Sequence, residues 1–332
     1  MFLRALPRRC APELITALAV AIAVFGIELR RATIHLTPEP SKWITPLSTN
    51  YPRVMRDSSG NTLTIVAPPR RLVSQTLGSD ELLFGVCASN RLVGVSPIAL
   101  DEQYSNVADQ IRALALPTVE SVEGAVELRP DIVFVASYSS AEQVELLRST
   151  GIVVFRLSNF DDVAGILRNI RAVGYAVGEE ACAAELASHI EARLGEIRTQ
   201  TAAHKSAPRV MLYGTSGYTA GANTLIDEMF RTVGARNVAA EHGVNGSVRI
   251  STEVISLWQP DFIVSGAPHG ESEKVLQSLM SDPAIANSRA GRSGRILVID
   301  DRYLLCVSQY IIPAIEQIAE GLYSDQQPHS NG

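Results

Sequence analysis

Ser121-Val122-Glu123-Gly124-Ala125-Val126-Glu127-Leu128-Arg129-Pro130-Asp131-Ile132-Val133-Phe134-Val135 has a counterpart 130 residues later, in Ser251-Thr252-Glu253-Val254-Ile255-Ser256-Leu257-Trp258-Gln259-Pro260-Asp261-Phe262-Ile263-Val264. Both stretches read Ser-x-Glu, six residues, Pro-Asp, then an apolar run. Each predicts a short helix running into a buried strand. Ser121 and Ser251 suit N-caps, because the hydroxyl accepts from a first-turn N–H. Glu123 and Glu253 fall in the first turn, where the helix dipole favours negative charge. Pro130 and Pro260 end the helices and push the preceding residue toward an extended conformation. An apolar run without alternation is the pattern of a strand covered on both faces. Two similar α/β lobes, each with one acidic side chain at the same point, are therefore expected.

The rest of the chain reads as alternating strands and helices. Tyr51 to Val66 predicts a hairpin turning at Asp57–Asn61. Leu72-Val73-Ser74, Leu92–Val95 and Ile152–Leu157 predict strands; Ser79–Cys87 and Ala141–Ser149 predict helices. Such a βαβ series gives a parallel sheet with helices on both faces. The middle differs. Asp162–Ala176 reads as one helix ended by Gly178. Glu179 to about Thr201 reads as a longer one, with Leu186, Ile190, Leu194 and Ile197 on one stripe. At 1.5 Å per residue it spans roughly 30–35 Å, enough for a stiff strut across both lobes. A new βα series starts at Val210. Trp258, on the repeated helix, is expected in the core.

Length and composition agree. A chain of 332 residues exceeds one ordinary core. With 46% hydrophobic and 19% charged residues, it belongs with folded proteins. A net charge of −6 argues against a nucleic-acid partner. Arg4, Arg8 and Arg9 precede the uncharged stretch Leu14–Ile27, which is short for a membrane span and ordinary for a signal peptide. The expected partition is a signal peptide or N-terminal membrane anchor over 1–33 and a tether over 34–50. A lobe over 51–160, a helical linker over 161–206, a second lobe over 207–324 and a disordered tail over 325–332 follow. Of the four cysteines, Cys87 and Cys182 sit in apolar helical patterns and read as free buried thiols; an exported location permits a disulfide without assigning one.

Tyr51 through Arg71 followed by Leu72-Val73-Ser74 resembles the entry hairpin of periplasmic substrate-binding proteins for iron complexes and vitamin B12, of the class III, helical-backbone type. The two Glu-x6-Pro-Asp copies, Gly151-Ile152-Val153-Val154 and the long central helix add to the resemblance. So does Gly234-Ala235-Arg236-Asn237-Val238, where Ala235 replaces the second glycine of a Gly-Gly-x-Asn element. It covers about residues 51–323. It implies two Rossmann-like lobes joined by one rigid helix, with a ligand cleft between them and little opening or closing. It implies delivery of a metal chelate, as a ferric siderophore, a cobalamin or other corrinoid, or haem, to an ABC-transporter permease dimer with its ATPase subunits. The chelate is cargo, so no resident cofactor or metal is expected. Glu123 and Glu253 match the family's permease-docking glutamates; such charges mainly set encounter and register. A periplasmic or extracytoplasmic location follows, tethered to the inner membrane if the leader is uncleaved.

In open α/β sheets ligands meet loops at the carboxyl ends of strands. That selects Gln75, Thr76, Tyr104 and Tyr138 in the first lobe, and Tyr218, His242, Arg249, His269 and Tyr303 in the second. Tyrosines stack on a flat macrocycle, and an arginine pairs with a carboxylate or anionic chelate. The plainer reading of each tyrosine is a surface residue with a bonded hydroxyl. Imidazole binds haem iron or cobalt, yet a lone loop histidine is more often simply solvated. The competing reading is an enzyme acting on a tetrapyrrole, such as a metal chelatase, using the cleft histidines and Glu241. No dinucleotide, P-loop, zincin or nucleophile-elbow motif supports catalysis. The adjacent Asp80-Glu81 pair reads as helix-start capping.

Overall fold

The computed structural model describes residues 50–57, 60–204 and 206–324, which belong to one compact unit. The leader, most of the tether and the tail predicted from sequence lie outside the described residues. Among the described residues no helix is long and apolar enough to cross a membrane.

The N-terminal lobe opens with an antiparallel hairpin of β1 (Arg53–Arg56) and β2 (Thr62–Ile65). There follow β3 (Leu72–Ser74), α1 (Leu77–Gly85), β4 (Leu92–Gly94), α2 (Ala108–Ala113) and α3 (Val122–Glu127). The lobe closes with β5 (Ile132–Ala136), α4 (Ala141–Ser149) and β6 (Val153–Leu157). Two helices come next, α5 (Val163–Val177) and α6 (Glu180–Ala202). The C-terminal lobe begins with β7 (Arg209–Leu212), β8 (Tyr218–Ala220), α7 (Leu225–Thr232), β9 (Arg236–Asn237) and α8 (Val238–Glu241). It continues through β10 (Ser247–Arg249), α9 (Thr252–Trp258), β11 (Phe262–Ala267) and α10 (Ser272–Ser281). It ends with α11 (Pro283–Ala286), α12 (Arg289–Arg292), β12 (Ile296–Asp300), α13 (Asp301–Leu304) and α14 (Ile311–Tyr323).

The two sheets have one plan. Their strand orders are β4-β3-β5-β6 and β9-β7-β11-β12, and every neighbour is parallel. The repeated strands β5 and β11 sit centrally, which is why their side chains are apolar on both faces. The repeated Pro-Asp also has a physical meaning. Asp131 accepts the backbone N–H groups of Arg70 and Arg71 at 2.7 and 2.9 Å, and Asp261 accepts that of Arg209 at 2.9 Å. Arg71 and Arg209 return the bond by donating to carbonyls at the end of the preceding helix: Leu128 and Arg129 in one lobe, Trp258 and Gln259 in the other. Each helix end is thus closed by a cation, where the dipole favours one, and each central strand is locked to its first neighbour.

Asp162 caps α5 and Gly178 ends it with φ +79°. The helix α6 has 23 residues, about 34 Å of strut. Its buried stripe is Ala183, Ala187, Ile190, Leu194 and Ile197. A Cβ on Gly174 would lie 2.3 Å from that of Ala183, so the glycine is what lets α5 and α6 approach. One buried cluster runs from Phe134 and Phe155 through Ile170 and Ile190 to Phe230 and Ile315. The strut is therefore a shared core between the lobes. The outer face of each sheet has its own smaller cluster, around Val133 and Leu147 in one lobe and Ile263 and Leu279 in the other.

Four expectations are corrected. Cys87 and Cys182 are not free thiols but a disulfide, Cα–Cα 6.2 Å, joining the residues after α1 to the first turn of α6. Ser251 occupies the N-cap of α9 without a side-chain capping bond, whereas Ser121 caps α3 through Gly124 N at 3.1 Å. Trp258 is half-buried and stacks on His242, centroids 4.5 Å apart. Asp80 and Glu81 are not caps: Thr76 caps α1, while Asp80 in its first turn and Glu81 just after it are wholly buried.

Candidate functional site: the strand carboxyl ends of two lobes

In the N-terminal lobe, Gln75 and Thr76 leave β3 where α1 begins. Thr76 bonds Ser79 and so fixes this turn. Tyr138 leaves β5, 62% exposed, and its ring meets that of Phe160 at 5.7 Å. Burial of the phenol raises its pKa, opposed by its hydrogen bond with Thr76. Gln75, Thr76, Pro97, Glu120, Tyr138 and Gln143 line a recess of about 480 Å³. Arg156, in β6, donates to the carbonyl of Ser137 at 2.5 Å and so braces the Tyr138 turn.

In the C-terminal lobe, β8 and β10 form a two-stranded ribbon that pairs Tyr218 with Arg249. Gly217 turns the chain into it with φ +83°. Gly214 N donates to Tyr218 O at 2.9 Å, which holds the ribbon against the carboxyl end of β7. Tyr218 is 49% exposed. Arg249 is exposed and makes no hydrogen bond or ion pair to the described residues. A guanidinium in that state is available to a carboxylate or other planar anion.

A third group lies where the lobes meet. His269, after β11, donates its backbone N–H to Gln103 O of the other lobe at 3.4 Å, next to Tyr104. Its Nδ1 lies 2.6 Å from Asp300 and 2.5 Å from Arg302. Arg302 holds both oxygens of Asp300 and lies over the ring of Tyr303 at 5.6 Å. Asp300 is held below the usual carboxylate range: its partial burial opposes this, but the bonds from Arg302 and His269 outweigh it.

His242 stands apart. It follows α8, stacked on Trp258, beside Glu241, which pairs with Arg209 and Arg236. Arg209 starts β7, so this is the amino-terminal edge of the sheet, opposite the other residues. Glu241 and His242 therefore cannot reach a ligand at the carboxyl ends, and the chelatase reading loses both. A recess of about 840 Å³ also lies elsewhere, between α6 and α14, lined by Arg193, Gln200, His204 and Tyr323. Its lining is polar, with Arg193 paired to Glu316, but it lies away from the strand carboxyl ends, where ligands of open α/β sheets sit. No group of histidines, cysteines or acids able to hold a metal occurs among the described residues. Sequence reading missed Arg156, Phe160 and Arg302. A charge inside the apolar run Val153-Val154-Phe155-Arg156-Leu157 was the available signal for the first.

Exposed aromatic side chains in both lobes, and a cationic one in the second, suit the binding of a small molecule. A family model described as periplasmic binding protein matches residues 72–303. The chain belongs to that family, whose members bind for transport and are not enzymes. It is 25% identical over 280 residues to a cobalamin-binding protein of Halobacterium salinarum, covering 83% of this chain and 75% of that one. It is 24% identical over 283 residues to an uncharacterized ABC transporter substrate-binding lipoprotein, YvrC, of Bacillus subtilis, covering 83% and 87%. Among solved structures, the apo form of the periplasmic heme-binding protein RhuT from Roseiflexus sp. RS-1 superposes with a TM-score of 0.67. The sequence identity is 26%, over 78% of this chain and 99% of that one.

Proposed function

We propose that this protein captures a metal chelate between its lobes and delivers it to the permease of an ABC importer. The single observation that carries the reading is the pairing, in one ribbon beside the strand carboxyl ends, of exposed Tyr218 with Arg249, whose guanidinium has no partner among the described residues. Aromatic faces suit a flat macrocycle, and a free guanidinium suits its anionic substituents. The names of the relatives, cobalamin-binding and heme-binding, support a corrinoid or haem first and a ferric siderophore next. The chelate is cargo, and no resident cofactor is part of the reading.

Glu123 and Glu253 are the docking points. Both are exposed, at the same position in the two lobes. The carboxylate of Glu253 is held below its usual range by the Ser251 hydroxyl and by a backbone N–H. The protein works outside the cytoplasm, as a periplasmic-binding family member with a lipoprotein relative. The Cys87–Cys182 disulfide fits an oxidising compartment. The test is a fluorescence titration of the purified protein with haem, cyanocobalamin and a panel of ferric siderophores. Saturable quenching by one of them at micromolar or tighter concentration is expected; no response to any rejects the ligand class.

A further inference from the structure

Glu81 is a wholly buried carboxyl on α1 of the N-terminal lobe. One oxygen accepts from the side-chain amide of Asn106 at 2.8 Å and its backbone N–H at 3.2 Å. The other accepts from the hydroxyl of Ser308, in the other lobe. The carbonyl of Glu81 accepts from Gln309 Nε2 at 2.7 Å, and Asn106 also donates to the carbonyl of Arg302 at 2.6 Å. Three of these contacts cross between lobes: two through the side chains of Glu81 and Asn106, and one from the Gln309 amide to the main-chain carbonyl of Glu81. Beyond them, Arg302 carries Asp300 and meets His269, whose backbone reaches Gln103.

Burial disfavours the ionised carboxyl and raises the pKa of Glu81, opposed by the bonds from Ser308 and Asn106. No cation bonds it; the ionisable neighbours that face it are Asp80, Cys306, Tyr138 and Tyr310. Packing alone would be served by an apolar side chain without that penalty. What a carboxyl offers is two acceptor oxygens on a short stem, one for each lobe. These bonds tie the lobes together in addition to the strut.

We propose that Glu81 and Asn106 are positioning residues for ligand binding. They set the distance between the wall bearing Thr76 and Tyr138 and the wall bearing Tyr218 and Arg249. The cleft is thereby pre-set to one width, which suits a flat, rigid ligand and limits opening. This rests on the chelate reading above. The full-length protein is compared with Glu81→Gln, Glu81→Ala and Asn106→Ala. Haem and cyanocobalamin titrations give affinity, scattering without ligand gives the radius of gyration, and thermal unfolding reports the fold. A glutamine keeps the geometry, accepting from Asn106 and donating to Ser308. Glu81→Gln is therefore expected to bind within about twofold of the parent, and both alanine variants about tenfold or more weaker, through lost pre-organisation. Both alanine variants are also expected to expand while still unfolding cooperatively. Unchanged affinity in the alanine variants, or equal loss in Glu81→Gln and Glu81→Ala, overturns the proposal. If Glu81→Ala does not fold, Asn106→Ala decides, because Glu81 keeps Ser308 there. If the parent binds neither probe, the corrinoid and haem readings fail and the affinity comparison passes to the ferric siderophore that binds; an unchanged radius of gyration in the alanine variants overturns the clasp separately.

Discussion

The two lobes share a frame and differ in what hangs from it. Strand order, the central parallel pairs and the Asp–Arg lock of the repeated helix are the same in both. The connection after the first strand is not. In the N-terminal lobe it is α1, with two wholly buried carboxyls; Asp80 bonds only hydroxyl and backbone groups of Ser74 and Ser96. In the C-terminal lobe it is the β8 arm followed by α7, whose buried Asp227 meets an amide, Asn237, and a cation, Arg231. The arm adds the ribbon that carries Tyr218 and Arg249. Duplication thus supplies the scaffold and an exposed glutamate at the matching point of each lobe, while the unrepeated connection adds the ribbon and the buried acids that differ between the lobes.

The largest effect expected tests the matching pair. Glu123→Ala combined with Glu253→Ala is expected to abolish uptake by cells and leave chelate affinity unchanged; loss of affinity instead would place these carboxylates in the cleft. The next separates the lobes by stability. Among the described residues the one disulfide staples the N-terminal lobe to the strut, across 95 residues of sequence. Cys87→Ala with Cys182→Ala is expected to lower stability by about 2–5 kcal/mol in denaturant titrations. Hydrogen exchange should rise around α1 before α7, and equal loosening of both lobes would break the contrast.

The third concerns the buried acids. Burial lifts Asp80 from 3.8 to about 7, against the bonds from Ser96 and Ser74. The folded state then binds more protons than the unfolded one between these values, so this group makes stability fall as pH rises from about 4 to about 7. Asp80→Asn is expected to flatten that fall, by at most about 4 kcal/mol over the window. An unchanged slope in melting curves against pH would show that the carboxyl is not the source. The smallest effect compares the locks. Asp261→Ala and Asp131→Ala are each expected to cost about 1–2 kcal/mol. Asp261 should matter more, because it also pairs with Arg289 and is less exposed.

Much of this was legible from residues. The repeat fixed two lobes because Pro-Asp and an unbroken apolar run have few other structural uses. The strut followed from the spacing of Ile190, Leu194 and Ile197, with Gly178 separating it from α5. The loops bearing Gln75, Thr76 and Tyr138 followed from where strands end, whereas Tyr218 and Arg249, read as loop residues, lie in the ribbon of β8 and β10, whose short strands carry no periodic signal. What escaped depended on contacts distant in sequence. Cys87 and Cys182 each look like one more buried apolar residue until α1 and α6 are packed. Glu81 resembles a first-turn carboxylate until Ser308 is brought to it from 227 positions away. His242 follows a strand in sequence, but the short helix α8 carries it to the opposite edge.

The central claim is that ligand sits between the unrepeated connections. Hydrogen exchange of the full chain, with and without the chelate that binds in titration, tests this most directly. Slower exchange at 75–77, 138–140, 216–219 and 247–250 is expected, with the groove between α6 and α14 unchanged. Protection confined to that groove, around 197–204 and 319–324, would contradict the account.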